Sequence, residues 1–202
     1  MATHIRLARE SDGAGVAAIY GPIVENTAIS FETLPPGAAE MTRRISDALR
    51  SHPWLVCEVD GQIAGYAYAS QHRPRPAYRW SVDTSVYVDP KWHRRGVGRG
   101  LYMSLFAILA RQGYGNAYAG IALPNPASVT LHEAVGFRPV GVYEHVGYKL
   151  GAWHDVGWWQ RALRDRDASP DEPHNVAVIG DNGELEALLA RGEAVIRLMG
   201  GP

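Results

Sequence analysis

Apolar positions recur along the chain with two periods, and segments of each period alternate. Ile5 to Ala8 alternates as a strand. Ser11 or Asp12 can cap the helix that follows, which runs through Tyr20 and beyond with Ala17, Ala18 and Ile19 on its apolar side. Phe31 to Gly37 is a proline-rich loop. Met41, Ile45, Ala48 and Leu49 fall at helical spacing and predict a helix over 38–51. Leu55 to Val59 and Gln62 to Ser70 flank Asp60-Gly61, a dipeptide that tolerates the positive φ of a tight hairpin turn, and predict two paired strands. The same patterning predicts a strand over 78–88, a helix over 97–112, a strand over 116–122, a helix over 126–135 and two closing strands over 138–163. The fold class is α/β, with a mixed central β-sheet flanked by helices and one principal domain over residues 1–163.

Past Leu163 the pattern breaks into Arg164-Asp165-Arg166-Asp167-Ala168-Ser169-Pro170, a charged linker. Residues 164–202 then carry an expected strand over Asn175 to Ile179, a short helix over Gly183 to Ala190 and a further strand over Ala194 to Leu198. So short a segment cannot bury a core of its own. It either docks on the domain or a neighbouring subunit, or hangs as a loose appendage.

Composition sets outer bounds. With 202 residues, 46% of them hydrophobic and 20% charged, the chain can bury a full core. A net charge of −1 makes no field of the kind nucleic-acid binders use, so no nucleic-acid partner is expected. Cys57 is a lone cysteine and no apolar run reaches the roughly 18 residues of a membrane span. Met1 to Arg6 runs straight into strand-like alternation, so neither a leader nor a membrane partner is expected, and the location expected is cytoplasmic. No metal site is expected.

The candidate chemistry starts at Ser85-Val86-Tyr87-Val88-Asp89-Pro90, a strand stopped by proline, followed by Lys91-Trp92-His93-Arg94-Arg95-Gly96-Val97-Gly98-Arg99-Gly100 opening an apolar helix. Glycines there let the backbone approach a ligand, and first-turn amides without intrahelical partners favour an anion. No lysine follows Gly98 or Gly100 as a P-loop requires, and the glycine spacing fails the dinucleotide fingerprint. Further on, Asn125, Ser128 and His132 recur at three- and four-residue spacing and Pro126 starts a helix, so Ser128 and His132 share one helical face, and Gly136 suits a left-handed helix end.

Arg95-x-x-Gly98-x-Gly100 after a Val-x-Val strand, with Asn125-x-x-Ser128-x-x-Leu131-His132-x-x-x-Gly136-Phe137, resembles the GCN5-related N-acetyltransferases. Gly65 to Ala69, Arg73 to Tyr78, Val82 to Val88 and Gly147 to Val156 resemble the phosphinothricin and methionine sulfone/sulfoximine subfamily, in which histidine at position 132 is usual. The resemblance runs from about Ile5 to Leu163 and implies the acyl-CoA N-acyltransferase fold, a homodimer and acetyl-CoA as co-substrate. It implies that Arg94, Arg95, Gly96, Val97, Gly98, Arg99 and Gly100 hold the pyrophosphate. It also implies that Val86, Tyr87 and Val88 offer backbone groups to the pantetheine arm, that Asn125 and Ser128 touch that arm, and that a bulged strand around Val88 supplies oxyanion donors.

The same resemblance puts a carboxylate at Asp83, one methylene shorter than the subfamily's glutamate, as the base that frees the attacking amine. His132 is either a second catalytic group acting on the thiolate or amine proton, or a structural histidine. Arg73 and Arg75, stiffened by Pro74, present planar forks suited to an amino-acid carboxylate. With Tyr78, Asp83, Thr84, Ser85 and Phe31 they are the expected substrate contacts. The function expected is acetylation of the α-amino group of a small amino-acid-like substrate. The alternatives are acetylation of a protein N-terminus or another amine, and a regulatory module that binds acetyl-CoA without turnover.

Overall fold

The structure, a computed structural model, describes residues 2–165, 167–179 and 183–197. Seven strands form one sheet: β1 (Thr3–Leu7), β2 (Trp54–Val59), β3 (Gln62–Gln71), β4 (Ser81–Val88), β5 (Asn116–Leu123), β6 (Arg138–Lys149) and β7 (Ala152–Ala162). Their spatial order is β1-β2-β3-β4-β5-β7-β6, antiparallel throughout except for the parallel β4–β5 pair. Five helices pack around it: α1 (Gly13–Asn26), α2 (Ala38–Leu49), α3 (Val97–Gln112), α4 (Pro126–Ala134) and α5 (Glu184–Glu193).

Strand alternation sorts the side chains into two cores. On one face Val16, Ile19 and Tyr20 of α1 and Met41 and Ile45 of α2 pack on Trp54, Val56 and Tyr66. On the other, Leu101, Leu105, Ile108 and Leu109 of α3 pack on Leu55, Cys57, Ala67, Ala69, Val82 and Ala117. Burial pushes the Cys57 thiol up to about 12, so it is a packed, inert group. Asp12 stands at the start of α1, yet its carboxylate accepts from the Arg9 amide (2.7 Å) and pairs with Arg6 (2.7 and 2.9 Å) instead of capping the helix. A 3₁₀ turn over Pro76–Tyr78 delays β4 until Ser81.

The chain past Leu163 docks on its own domain. The His174 amide donates to the Gln112 carbonyl of α3 and the Gln112 side-chain amide donates back to the His174 carbonyl, Ser104 Oγ donates to the Leu189 carbonyl (2.7 Å), and Glu193 accepts from the Ile5 amide (2.7 Å). Leu188 and Leu189 enter the α3 core. The two strands expected here do not form. Val176–Val178 is a 3₁₀ turn that drops Val176 and Ile179 into the core as plugs. Ala194, Val195 and Ile196 donate to carbonyls of residues 190, 192 and 193, so local helical bonding replaces the strand, while the Glu193 side chain takes the Ile5 amide on the open edge of β1; Leu198 lies outside the described residues.

Candidate active site

The site begins where the sheet parts. β4 and β5 pair only at Ser81–Asn116, Val82–Ala117 and Asp83–Tyr118, so from Thr84 onward one edge of β4 has no strand beside it. Its other edge stays in continuous register with β3 from Val82 to Val88. The bulge expected around Val88 is therefore not there, and any oxyanion donor must come from the free edge of a regular strand. At the end of that edge the His93 ring lies 3.0 Å from the Val88 carbonyl, with Nε2–H as the donor.

Beyond β4 the chain turns into α3 through Arg94 (φ 62°) and Gly96 (φ 84°). Gly96 accepts from Gly100 at 2.8 Å, so the amides of Val97, Gly98 and Arg99 precede the first intrahelical donor. Arg95 stacks on Trp92 at 4.9 Å. Arg94, Arg95 and Arg99 have no carboxylate partner among the described residues, which leaves three guanidinium groups around a helix N-terminus. The three glycines divide their work. Gly98 faces Val88 and Leu131, close to β4 and α4. Gly96 and Gly100 face the C-terminal segment instead: a Cβ at Gly100 would stand 2.6 Å from the Gly192 carbonyl, and one at Gly96 would stand 2.5 Å from that of Val195. Gly100 is thus needed for helix–helix approach, a correction to its expected place against a ligand.

Across the gap Asn125 caps α4, its Oδ1 accepting from the Ser128 amide at 3.1 Å. His132, one turn on, is buried with both nitrogens engaged. Nδ1–H donates to the Ser128 carbonyl (2.8 Å), and Nε2 accepts from the Tyr102 hydroxyl (2.8 Å). Burial holds its pKa below the ordinary value, so the ring is neutral. This arrangement fits the structural reading of His132 better than the catalytic one. It ties α4 to α3.

On the opposite face of β4 lie the groups expected to meet an amino acid. Asp83 Oδ1 is 2.6 Å from His72 Nδ1, and burial raises the carboxyl pKa above its ordinary value while the His72 bond and the Arg73 charge oppose that rise. His72 stacks on Tyr118 at 4.2 Å, and Arg73 lies over Trp158 at 5.7 Å. Arg75 and Pro74 are exposed on the same turn, and Tyr78 sets its edge against His72. Ser85 shares the Asp83 face by alternation, whereas Thr84 is buried toward α3 and bonds the Tyr118 carbonyl at 3.3 Å. Thr84 is therefore removed from the expected substrate contacts.

Phe31 is presented by two anchored neighbours. Ser30 gives its carbonyl to the buried Lys149 ammonium (2.7 Å), which also binds the Val24 carbonyl, and Glu32 takes both Arg44 nitrogens at 2.7 and 3.0 Å. The ring fills the space where Gly147 lacks a side chain, 6.2 Å from the His154 ring. His72, Tyr118, Trp158 and Lys149 are site residues that sequence reasoning missed. Lys149 falls within the Gly147–Val156 segment that carries the resemblance, yet no role was read for it, and the other three are brought in by strand register.

The sheet thus parts beside a glycine-rich helix start, and a free strand edge runs from a carboxylate at the fork to a set of unpaired amides suited to an anion. A model of the Acetyltransferase (GNAT) domain matches residues 5–158. A phosphinothricin N-acetyltransferase of Streptomyces viridochromogenes is 41% identical over 157 residues, 78% of this chain and 86% of that protein. An L-methionine sulfoximine/L-methionine sulfone acetyltransferase of Salmonella typhimurium is 33% identical over 83% of this chain and 98% of its own. The crystal structure of a phosphinothricin acetyltransferase from Sinorhizobium meliloti in complex with acetyl-CoA superposes with a TM-score of 0.79 at 34% identity, covering 86% of this chain and 94% of that one. The chain belongs to the GNAT acetyltransferase family.

Proposed function

We propose that the protein moves the acetyl group of acetyl-CoA to the α-amino group of a small amino-acid-like acceptor of the phosphinothricin, methionine sulfone or methionine sulfoximine type, by direct attack in a ternary complex. The observation that carries this reading is the free edge of β4, which runs from Asp83 at the fork to the glycine turn of α3. Acetyl-CoA fits the residues present. Its pantetheine amides can bond the backbone groups of Val86 on the free edge, those of Tyr87 being turned toward β3 by strand alternation, and its pyrophosphate suits the free amides of Val97 and Gly98 with Arg94, Arg95 and Arg99 around them. Asn125 and Ser128 border the arm from α4.

Proximity supplies much of the rate, and the proton balance follows from the site. The ammonium of the bound amino acid gives a proton to Asp83, directly or through one water. The nitrogen lone pair forms the bond to the acetyl carbon, the C–S bond breaks with its electron pair going to sulfur, the acylated nitrogen gives up its second proton to become the neutral amide, and the thiolate takes one up to leave as the CoA thiol. Backbone N–H groups on the free edge of β4 steady the carbonyl oxygen while it carries charge. Arg75 and Arg73 receive the acceptor's carboxylate, and Phe31 packs on its side chain.

A thiol-release assay tests this. Phosphinothricin, methionine sulfone and methionine sulfoximine should turn over, and the carboxamide of the best of them should lose about 100-fold in kcat/KM with the charged contact gone. Equal turnover of acid and amide, or none on any of the three with acetyl-CoA bound, would sink the proposal.

We also propose a homodimer through the β6–β7 hairpin. β6 is a sheet edge, and Val140, Val142, Tyr148, Leu150 and Trp153 are exposed on this one hairpin, an apolar surface that a second copy would cover. Light scattering should give twice the chain mass, falling to one chain for Val142→Asp. A wild-type monomer at micromolar concentration would exclude the dimer.

A further inference from the structure

His72 follows the last residue of β3, where Gln71 pairs with Val82, and the chain's turn there folds its ring back over the fork. Three aromatic rings fix the imidazole. It lies flat on Tyr118 (4.2 Å, 15°) and meets the edges of Tyr78 (5.9 Å, 68°) and Trp158 (6.3 Å, 79°). The His72 side chain is only 11% exposed, against 31% for Asp83. Its Nδ1 stands 2.6 Å from Asp83 Oδ1, and an ionised carboxylate only accepts, so Nδ1 carries the proton. Nε2 has no partner among the described residues.

We infer that His72 is a positioning residue for proton transfer: its Nδ1–H holds one oxygen of Asp83 and leaves the other aimed at the acceptor's amine. The inference rests on Asp83 being the proton acceptor. A half-buried carboxylate on a strand has a rotatable end, and without a fixed donor it turns and binds its proton more tightly. A ring locked by three aromatic contacts is such a donor. The aspartate's short reach makes its orientation count for more than a longer carboxylate's would.

The titratable and charged groups around Asp83 are His72 and Arg73 beyond the end of β3, Tyr68 on β3, Tyr78 from the 3₁₀ turn and Tyr118 on β5. Of these only His72 bonds the carboxylate. Arg73 acts through its charge, and Tyr78 and Tyr118 act by holding the imidazole.

The test compares two variants of the full chain that cannot titrate at position 72. His72→Phe keeps a ring on Tyr118 and removes the donor, while His72→Asn keeps an N–H close to the place of Nδ1. His72→Phe should lower kcat about 10-fold with KM little changed, and should move the acidic limb of kcat/KM up by roughly one pH unit. His72→Asn should recover most of kcat and return the limb. An unmoved limb in His72→Phe, or equal losses in both variants, would overturn the inference.

Should His72→Phe fail to fold, imidazole ¹⁵N NMR of the wild-type protein decides: a protonated Nδ1 at working pH supports it, and the Nε2–H tautomer overturns it. Asp83→Asn separates the two levels of the argument. Full activity in that variant removes the base reading itself, whereas an inactive Asp83→Asn beside an unaffected His72→Phe removes only the role of His72.

Discussion

At the residue scale, burial decides what each titratable group can do. Asp83 is desolvated at the fork and answered by one ring N–H and one guanidinium, so its acidity is tuned by neighbours the chain brings from β3. His132 and His52 are held neutral by burial, their pKa values below the ordinary 6.5. The sign of the consequence is fixed. Above the unfolded value neither state binds the proton; as pH falls below about 6.5 the unfolded chain takes it up first and stability drains away until the folded pKa is passed. Thermal melts should therefore show Tm falling as pH drops below about 6.5, with the slope reduced in His52→Gln. A flat profile in the wild type would show that neither ring is held neutral. At this scale Asp83 was legible through the family resemblance, and Arg73 and Arg75 because two planar forks about a stiffening proline suit a carboxylate. His72 was not, because its partner is eleven positions away and only the β3–β4 register joins them.

At the element scale, helix and strand periods located the elements up to Leu163, including α3 over 97–112 to the residue. What they could not show is which partner each face receives. The glycine run is the clearest instance, since one short motif serves two neighbours. Gly98 lets α3 approach β4 and α4, while Gly96 and Gly100, four apart and so on one side, admit the C-terminal segment. Gly100→Ala should cost about 1–3 kcal/mol, since the added carbon meets a backbone carbonyl that cannot rotate away. Chemical denaturation measures it. Because this face meets the C-terminal segment and not β4, where the proposed function lays the donor, acetyl-CoA affinity should change less than stability does, and the reverse order would return Gly100 to the ligand side.

At the scale of the whole molecule, the match to the family domain ends at residue 158 and the chain adds a brace that reaches back to the glycine turn before α3. Arg197 donates to the Arg95 carbonyl at 2.9 Å, and Val176, Ile179, Leu188 and Leu189 bury themselves against the domain. Ending the chain after Leu163 should leave a folded acetyltransferase whose Tm falls on the order of 10 °C, about 3 kcal/mol for a chain of this size, and whose Kd for acetyl-CoA rises. Calorimetry and titration of the ligand measure both; an unchanged Kd would confine the brace to stability. By itself the sequence determined the alternating elements, the glycine-opened α3 and the helical face that Ser128 and His132 share, because each depends on residues within a turn or two of one another. Only the tertiary structure decided the docking of α5, the engagement of both His132 nitrogens, the inward turn of Thr84 and the meeting of His72 with Asp83. Those depend on strand register and on which faces come to share a core, and distant parts of a chain are joined only when the whole of it folds.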